Sequence, residues 1–346
     1  MNKRPTPTTA VRALVAGAAI FGLAACQPTA VTPTGPQVEV TTTLPVNPDN
    51  TTTTQATTTS TSTTTTTPPA GAVAAPSGWT YAGGDEFNDA SLNSSKWKAY
   101  YNTYGDSNNE LACLTPNNVA ESGGSVKLTA KKQTITCSGG TTEEYTSGFL
   151  GSRETGTYYP KYARFEMRAK LPHAQGLWPA FWLRHRNGAG TAEVDIMEYF
   201  HSQVPGKTTQ TLHLDGRTNL SKKTSAFEAP TLAPGWHTWA VDVLPDPAGV
   251  RFTFYTDGVA VHTYVDTQHN WASSDANATW DIALNLAVGG NWVGRPGDTT
   301  GYLRDLNRCS ISGTAPGGCA TTGIRNVDWT ASTYEIDYVR VFTPAT

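Results

Sequence analysis

From residue 77 to residue 346 the chain is cut into short apolar or alternating runs, and no long amphipathic helical pattern interrupts them. The runs fall at 125–130, 162–169, 180–184, 236–244, 250–257, 283–288 and 334–342, separated by turns rich in Gly, Asn, Asp and Pro. Short alternating segments between turn residues read as strands, and many of them in succession read as an antiparallel sandwich. The expected fold is therefore all-β: an antiparallel sandwich or β-jelly-roll of two sheets. All 10 Trp lie in this stretch, whose length suits one large β-domain.

The first 76 residues have a different character. Lys3, Arg4 and Arg12 precede an apolar run at 13–23, which ends in Leu23-Ala24-Ala25-Cys26. A charged start, a run too short and too rich in Ala and Gly for a good membrane span, and a small-residue end are the marks of an export signal. The ending looks like a bacterial lipobox, in which Cys26 would carry lipid; ordinary cleavage near Ala25 and secretion is the alternative. Residues 27–76 are dominated by Thr, Pro, Ala, Ser and Val, with too few large apolar side chains to offset the entropy of ordering. The expected organisation is a lipoprotein-type signal at 1–26, a disordered linker at 27–76 and one large β-domain at 77–346. Cysteine arithmetic agrees with lipidation. Of 5 Cys, Cys26 is the odd one, leaving Cys113, Cys137, Cys309 and Cys319 for two bridges in an oxidising compartment. Proximity suggests Cys113 with Cys137 and Cys309 with Cys319, although four cysteines allow three pairings.

The chemistry is concentrated at 192–200, which places Glu193, Asp195 and Glu198 among Val194, Ile196, Met197, Tyr199 and Phe200. This β-prone set reads as a strand on which Glu193 and Asp195 share one face and Val194 and Ile196 point into a core. Glu198 falls on the wrong face unless a β-bulge near Ile196 and Met197 turns it back, and bulges are common beside active sites. Three like charges on one face push their pKa values apart, as a general acid beside an ionised carboxylate requires. An exposed acidic edge strand, solvated or holding Ca²⁺, is the plain alternative.

Other runs supply candidates for the cleft. In 176–184, Phe181 and Leu183 would pack inward and leave Trp178, Trp182 and Arg184 on the opposite face, where indole could stack on sugar C–H faces and Arg184 could donate to hydroxyls. Two Trp filling a large sandwich is the competing reading for each Trp alone. His213 alternates with Leu on a strand and is a candidate neighbour of the acids. Asn285 and Trp292 flank Gly289 and Gly290, which would let backbone approach a ligand. Asn109, Glu110 and Arg153 are further candidates, with loop positions as their plain reading.

These motifs together resemble glycoside hydrolase family 16, especially its laminarinase-like endo-β-1,3-glucanases. The resemblance spans most of 78–342. It is carried by Asp85-Glu86-Phe87-Asn88, Asn109-Glu110-Leu111, Tyr145-Thr146-Ser147-Gly148 and the segments 164–172, 178–182, 193–198, 285–292 and 337–341. It implies Glu193 as nucleophile, Glu198 as acid/base and Asp195 as the residue that orients and tunes the nucleophile. Two residues between Asp195 and Glu198 match the laminarinases, agarases and carrageenases rather than the lichenases. It also implies a structural Ca²⁺ ligated in part by Asp337, and no catalytic cofactor. The loop at 187–192 and the Cys309–Cys319 insertion depart from the laminarinase pattern, and both bear on which glycan is bound. The expected function is retaining endo-hydrolysis of a β-linked polysaccharide, most simply β-1,3-glucan. A β-galactan hydrolase, a transglycosylase of the same fold and a lectin-like binding domain are the alternatives. A net charge of −3 offers no basic stripe for nucleic acid. The expected partners are the polysaccharide and, through the lipid alone, a membrane; the expected state is a monomer.

Overall fold

The computed structural model describes residues 73–174, 176–186, 191–200, 208–214, 217–224, 235–268, 278–294, 296, 329 and 332–346. Residues 1–72, Cys309 and Cys319 lie outside the described residues, and with them the expected signal, most of the linker and the second bridge.

All seven runs are strands, and together with nine others they build two eight-stranded antiparallel sheets. One sheet runs Val259–Asp266, Gly249–Thr256, Trp236–Asp246, Ala163–Lys170, Thr333–Pro344, Val126–Thr129, Val119–Glu121, with Trp79–Asp85 also paired to Thr333–Pro344. The other runs Arg217–Thr224, Thr209–Leu214, Ala192–Glu198, Leu177–Arg186, Thr279–Val288, Phe149–Gly151, Lys98–Ala99, with Tyr159–Pro160 also on Thr279–Val288. This is the jelly-roll sandwich expected from the sequence. A third, three-stranded sheet joins Ala112–Leu114, Thr142–Ser147 and Lys131–Thr136.

Alternation explains how the layers close. Ala163–Lys170 sends Ala163, Phe165, Met167 and Ala169 inward, and Gly249–Thr256 sends Val250, Phe252 and Phe254. Facing them from the second sheet are Phe181, Leu183, Val194, Ile196, Ile282 and Leu284, in one continuous core. Each of the Phe, Met, Leu, Ile and Val side chains among these contributes about 1.5–3 kcal/mol when removed from water. Chain reversal between Gly249–Thr256 and Val259–Asp266 uses Asp257-Gly258, both at positive φ, the conformation that a two-residue hairpin with the right twist demands.

Leu177–Arg186 is buried on both faces along most of its length. Its outward residues pack in two smaller clusters: Ala180 and Trp182 with Tyr100, Leu114, Phe149 and Ala283, and Trp178 with Phe200, Ala287 and Val293. The outward face of the second sheet is thus an aromatic floor partly covered by loops.

The outward face of the first sheet carries ion pairs. Arg164 reaches Glu166 and Asp242, both at 2.9 Å, and Arg340 pairs with both carboxylate oxygens of Glu86. Asp337, expected to ligate calcium, lies at a register shift and accepts from Arg168 Nη1 at 2.6 Å. A calcium ion there would compete with a guanidinium for the same carboxylate, and the residues present fit an ion pair better than a metal site.

Cys113 and Cys137 form a disulfide across a sequence separation of 24 and tie together the first and last strands of the small sheet, close behind the loop at 104–111. Closing a loop of that length restricts the unfolded chain enough to stabilise the fold by about 3 kcal/mol. Replacing both cysteines with Ala should therefore lower the unfolding free energy by about that amount, measured by urea titration; a loss below about 1 kcal/mol would show that the tie matters little.

Candidate active site

The strand Ala192–Glu198 crosses the second sheet between Leu177–Arg186 and Thr209–Leu214. Opposite Leu177–Arg186, Phe181 pairs with Met197 but Trp182 pairs with Asp195, so Ile196 is an extra residue. The second neighbour shows the same shift, with Thr211 opposite Asp195 and Thr209 opposite Glu198. This is a β-bulge. Ile196 and Met197 both enter the core, fully buried, and the face of every later residue is reversed. Glu198 is thereby returned to the side of Glu193 and Asp195, and all three line one cleft of about 390 Å³.

The floor and walls of that cleft also include Trp178, Ala180, Trp182, Asn285, Tyr104, Ser107, Asn108 and Glu110. Trp182 and Asn285 are held together, the indole Nε1 donating to Asn285 Oδ1 at 2.7 Å. Trp178 lines the far part, and its Nε1 has no hydrogen-bond partner among the described residues. The two Trp are therefore both packed and presented, so the core and platform readings hold together. Tyr104, 46% exposed, extends the aromatic surface from Trp182, with ring centroids 6.3 Å apart.

His213 stands across the ladder from Glu193, and its Nε2 lies 3.2 Å from Asp195 Oδ2. Oxygen and nitrogen atoms of Glu193, Asp195 and His213 lie within 4.8 Å of one another, a set that could also hold a divalent ion. Burial pushes the Glu193 carboxyl above the usual glutamate range, while the charges of His213 and Arg184 pull it back.

Arg184 departs from expectation. It does not line the cleft; its Nε donates to Asp281 Oδ1 at 2.6 Å, and its guanidinium lies 5.1 Å from the Trp182 ring centre. Arg186 takes the other oxygen of the same carboxylate at 2.6 Å. Asp281 is wholly buried, which two guanidinium partners make tolerable. Arg184 acts on the cleft through the charge it presents to Glu193.

Three further candidates lie outside the cleft lining. Asn109 adopts a left-handed conformation and its Nδ2 donates to Asn291 Oδ1 at 2.8 Å, clamping the loop at 104–110 to the turn at 289–291. Trp292 packs on Phe200, 6.1 Å between ring centres. Arg153 is exposed on a 3-10 turn. Gly289 and Gly290 also serve a different purpose from the expected one: the space their missing side chains leave is filled by Leu111 and by Asn108 and Glu110. They admit a protein loop, and that loop supplies the Tyr104, Ser107, Asn108 and Glu110 wall. The exposed Tyr and the Asn pair at 104–109 were the sequence signal for it.

Comparison with known proteins agrees with this geometry. The chain is 27% identical over 288 residues to a glucan endo-1,3-beta-glucosidase of Cryptopygus antarcticus, covering 78% of this chain and 94% of that protein. It is 28% identical over 240 residues to a beta-glucanase of Rhodothermus marinus, covering 63% and 79% respectively. The fold matches that of an endo-beta-1,3-glucanase from Pyrococcus furiosus with a TM-score of 0.57 at 24% identity, over 78% of this chain and 95% of that one. The sequence profile of glycosyl hydrolases family 16 matches residues 107–304, more than half of the chain, which places the strand of three acids and the wall at 107–110 inside the matched region. The chain belongs to glycosyl hydrolases family 16.

Proposed function

We propose that the protein is a retaining endo-hydrolase of β-1,3-glucan in which Glu193 is the nucleophile, Glu198 the acid/base and Asp195 the residue that orients Glu193. The observation that carries this reading is the bulge at Ile196, which sets three carboxylates along one wall of an aromatic-floored cleft. Names of the relatives support the glucan assignment. The mechanism needs the two glutamates in opposite protonation states. Glu193 attacks the anomeric carbon as its carboxylate, and Glu198, protonated, delivers its proton to the leaving oxygen. Water then attacks the glycosyl-enzyme with Glu198 as base. A retaining pair stands about 5–5.5 Å apart, since no water has to fit between nucleophile and sugar. Asp195, braced by His213, holds negative charge beside the nucleophile as the oxocarbenium-like centre forms.

The expected outcomes are specific. Glu193→Ala abolishes turnover of polysaccharide. Glu198→Ala slows it by about 10²–10⁴-fold, least on an aryl glycoside whose leaving group needs no proton, and azide partly restores it. Asp195→Asn lowers the rate and leaves the stereochemistry unchanged. Proton NMR of the first-formed product should show the β anomer; an initial α anomer would remove Glu193 as nucleophile. The acidic limb of the pH profile reports ionisation of Glu193. Since the charge of His213 lowers that pKa, His213→Gln should move the limb to higher pH, and movement to lower pH would contradict the electrostatic assignment.

Substrate charge follows from the lining. Among the described lining residues there are the carboxylates of Glu110, Glu193, Asp195 and Glu198 and no Lys or Arg, so nothing pairs with sulfate. On a panel of laminarin, mixed-linkage glucan, β-galactan, agarose and carrageenan, laminarin should be cleaved and carrageenan left intact. Cleavage of β-galactan alone would reassign the glycan, and sugar transfer in place of hydrolysis would reassign the acceptor.

Export and lipid attachment at Cys26 belong to the same proposal, supported by the leader pattern and by the disulfide Cys113–Cys137, which needs an oxidising compartment. Cys26→Ser should release the protein from the membrane fraction. An unmodified start downstream of residue 26 in the wild-type intact mass would overturn the anchor.

A further inference from the structure

The cleft holds a fourth carboxyl group that the mechanism above leaves unused. Glu110 lines the wall that also carries Tyr104, Ser107 and Asn108. Its carboxyl fills the space that a side chain at residue 105 would occupy, so the seat exists because that residue is glycine. The backbone around it is fixed from both sides. Glu110 N–H donates to the Gly105 carbonyl at 3.2 Å, Leu111 N–H to the Val288 carbonyl at 2.8 Å, and Glu110 forms an isolated bridge with Gly289. Asn108 Nδ2 donates to Glu110 Oε1 at 3.3 Å.

Among the described residues, the charged groups around this seat are all of one sign. Asp106 faces it from its own loop, the turn at 289–291 brings only Gly, Gly and Asn, and Glu193, Asp195 and Glu198 share the cleft. Burial without a cation favours the uncharged acid, and pushes Glu110 up to about 7 despite the Asn108 hydrogen bond.

We propose that Glu110 is a substrate-binding residue that works as a neutral acid: its O–H donates to an oxygen of the glucan chain while its carbonyl oxygen accepts from a sugar hydroxyl. The proposal rests on the glucanase reading above. A protonated carboxyl is donor and acceptor at once, which suits a hydroxyl-rich ligand, whereas a carboxylate only accepts. Ionisation would remove the donor and add a further negative charge to the cleft.

Binding can be separated from turnover in the Glu193→Gln protein, titrated calorimetrically with a β-1,3-gluco-oligosaccharide between pH 6 and pH 8. If only the protonated form of Glu110 is competent, affinity should fall by about tenfold over this range, following the competent fraction. The double variant Glu193→Gln/Glu110→Gln keeps a neutral donor and acceptor at every pH and should bind throughout as the single variant binds at pH 6. A single variant whose affinity does not change with pH overturns the proposal by itself. An equal fall in both variants also overturns it and points to another titrating group. Failure of both to bind at any pH would remove the glucanase reading, and this proposal with it.

Discussion

The active strand has to satisfy two demands that a regular strand meets only with the right spacing. It must bury Val194, Ile196 and Met197 in the core and still present Glu193, Asp195 and Glu198 to the cleft. Side chains alternate with a period of two, so acids at first, third and sixth positions cannot share a face without one irregularity. The bulge at Ile196 supplies it, and costs little because the extra residue is itself apolar and fully buried. Position of the cleft, identity of its floor and direction of the acids all follow from this one change of register.

Around the acids the protein manages charge by burying opposite partners at measured removes. Asp281 holds Arg184 and Arg186, and among the described residues no Lys or Arg lines the cleft. Arg184 still acts on Glu193 from the neighbouring strand, and His213 acts through Asp195 and across the ladder. A cation in direct contact with Glu193 would hold it ionised but blunt its attack. Burial alone would keep it protonated. The observed arrangement lies between these, with a buried carboxyl partly compensated from the side.

What could be read from the sequence was what is local. The strand of acids, its bulge, the inward and outward residues of Leu177–Arg186, and the Cys113–Cys137 tie depend on neighbours a few positions away or on simple proximity. Asn285 and His213 came into the site as expected because they lie on strands paired near the acids. Arg184 was misread because the carboxylate that claims it lies 97 residues further on. Asn109, Trp292 and the glycines at 289–290 were assigned to the ligand although they fasten one loop to another, a contact 182 residues apart in the case of Asn109. Asp337 was given a metal, and the matching guanidinium of Arg168 could be foreseen only from the pairing of the two strands.

The loop wall at 104–111 is seated largely in empty space that glycines leave. Gly105 makes room for the Glu110 carboxyl, Gly289 for Leu111 and Gly290 for Asn108 and Glu110. None of the three offers a side chain to a sugar, yet a methyl group would run into the Glu110 carboxyl at Gly105 and Leu111 at Gly289, and at Gly290 would crowd the Asn108 carbonyl oxygen at 3.1 Å. A saturation mutagenesis map of this protein should therefore show sensitivity at these glycines as well as at the acids. The two kinds of intolerance have different origins: at the acids, substitution removes a reacting group, whereas at the glycines it adds an obstacle.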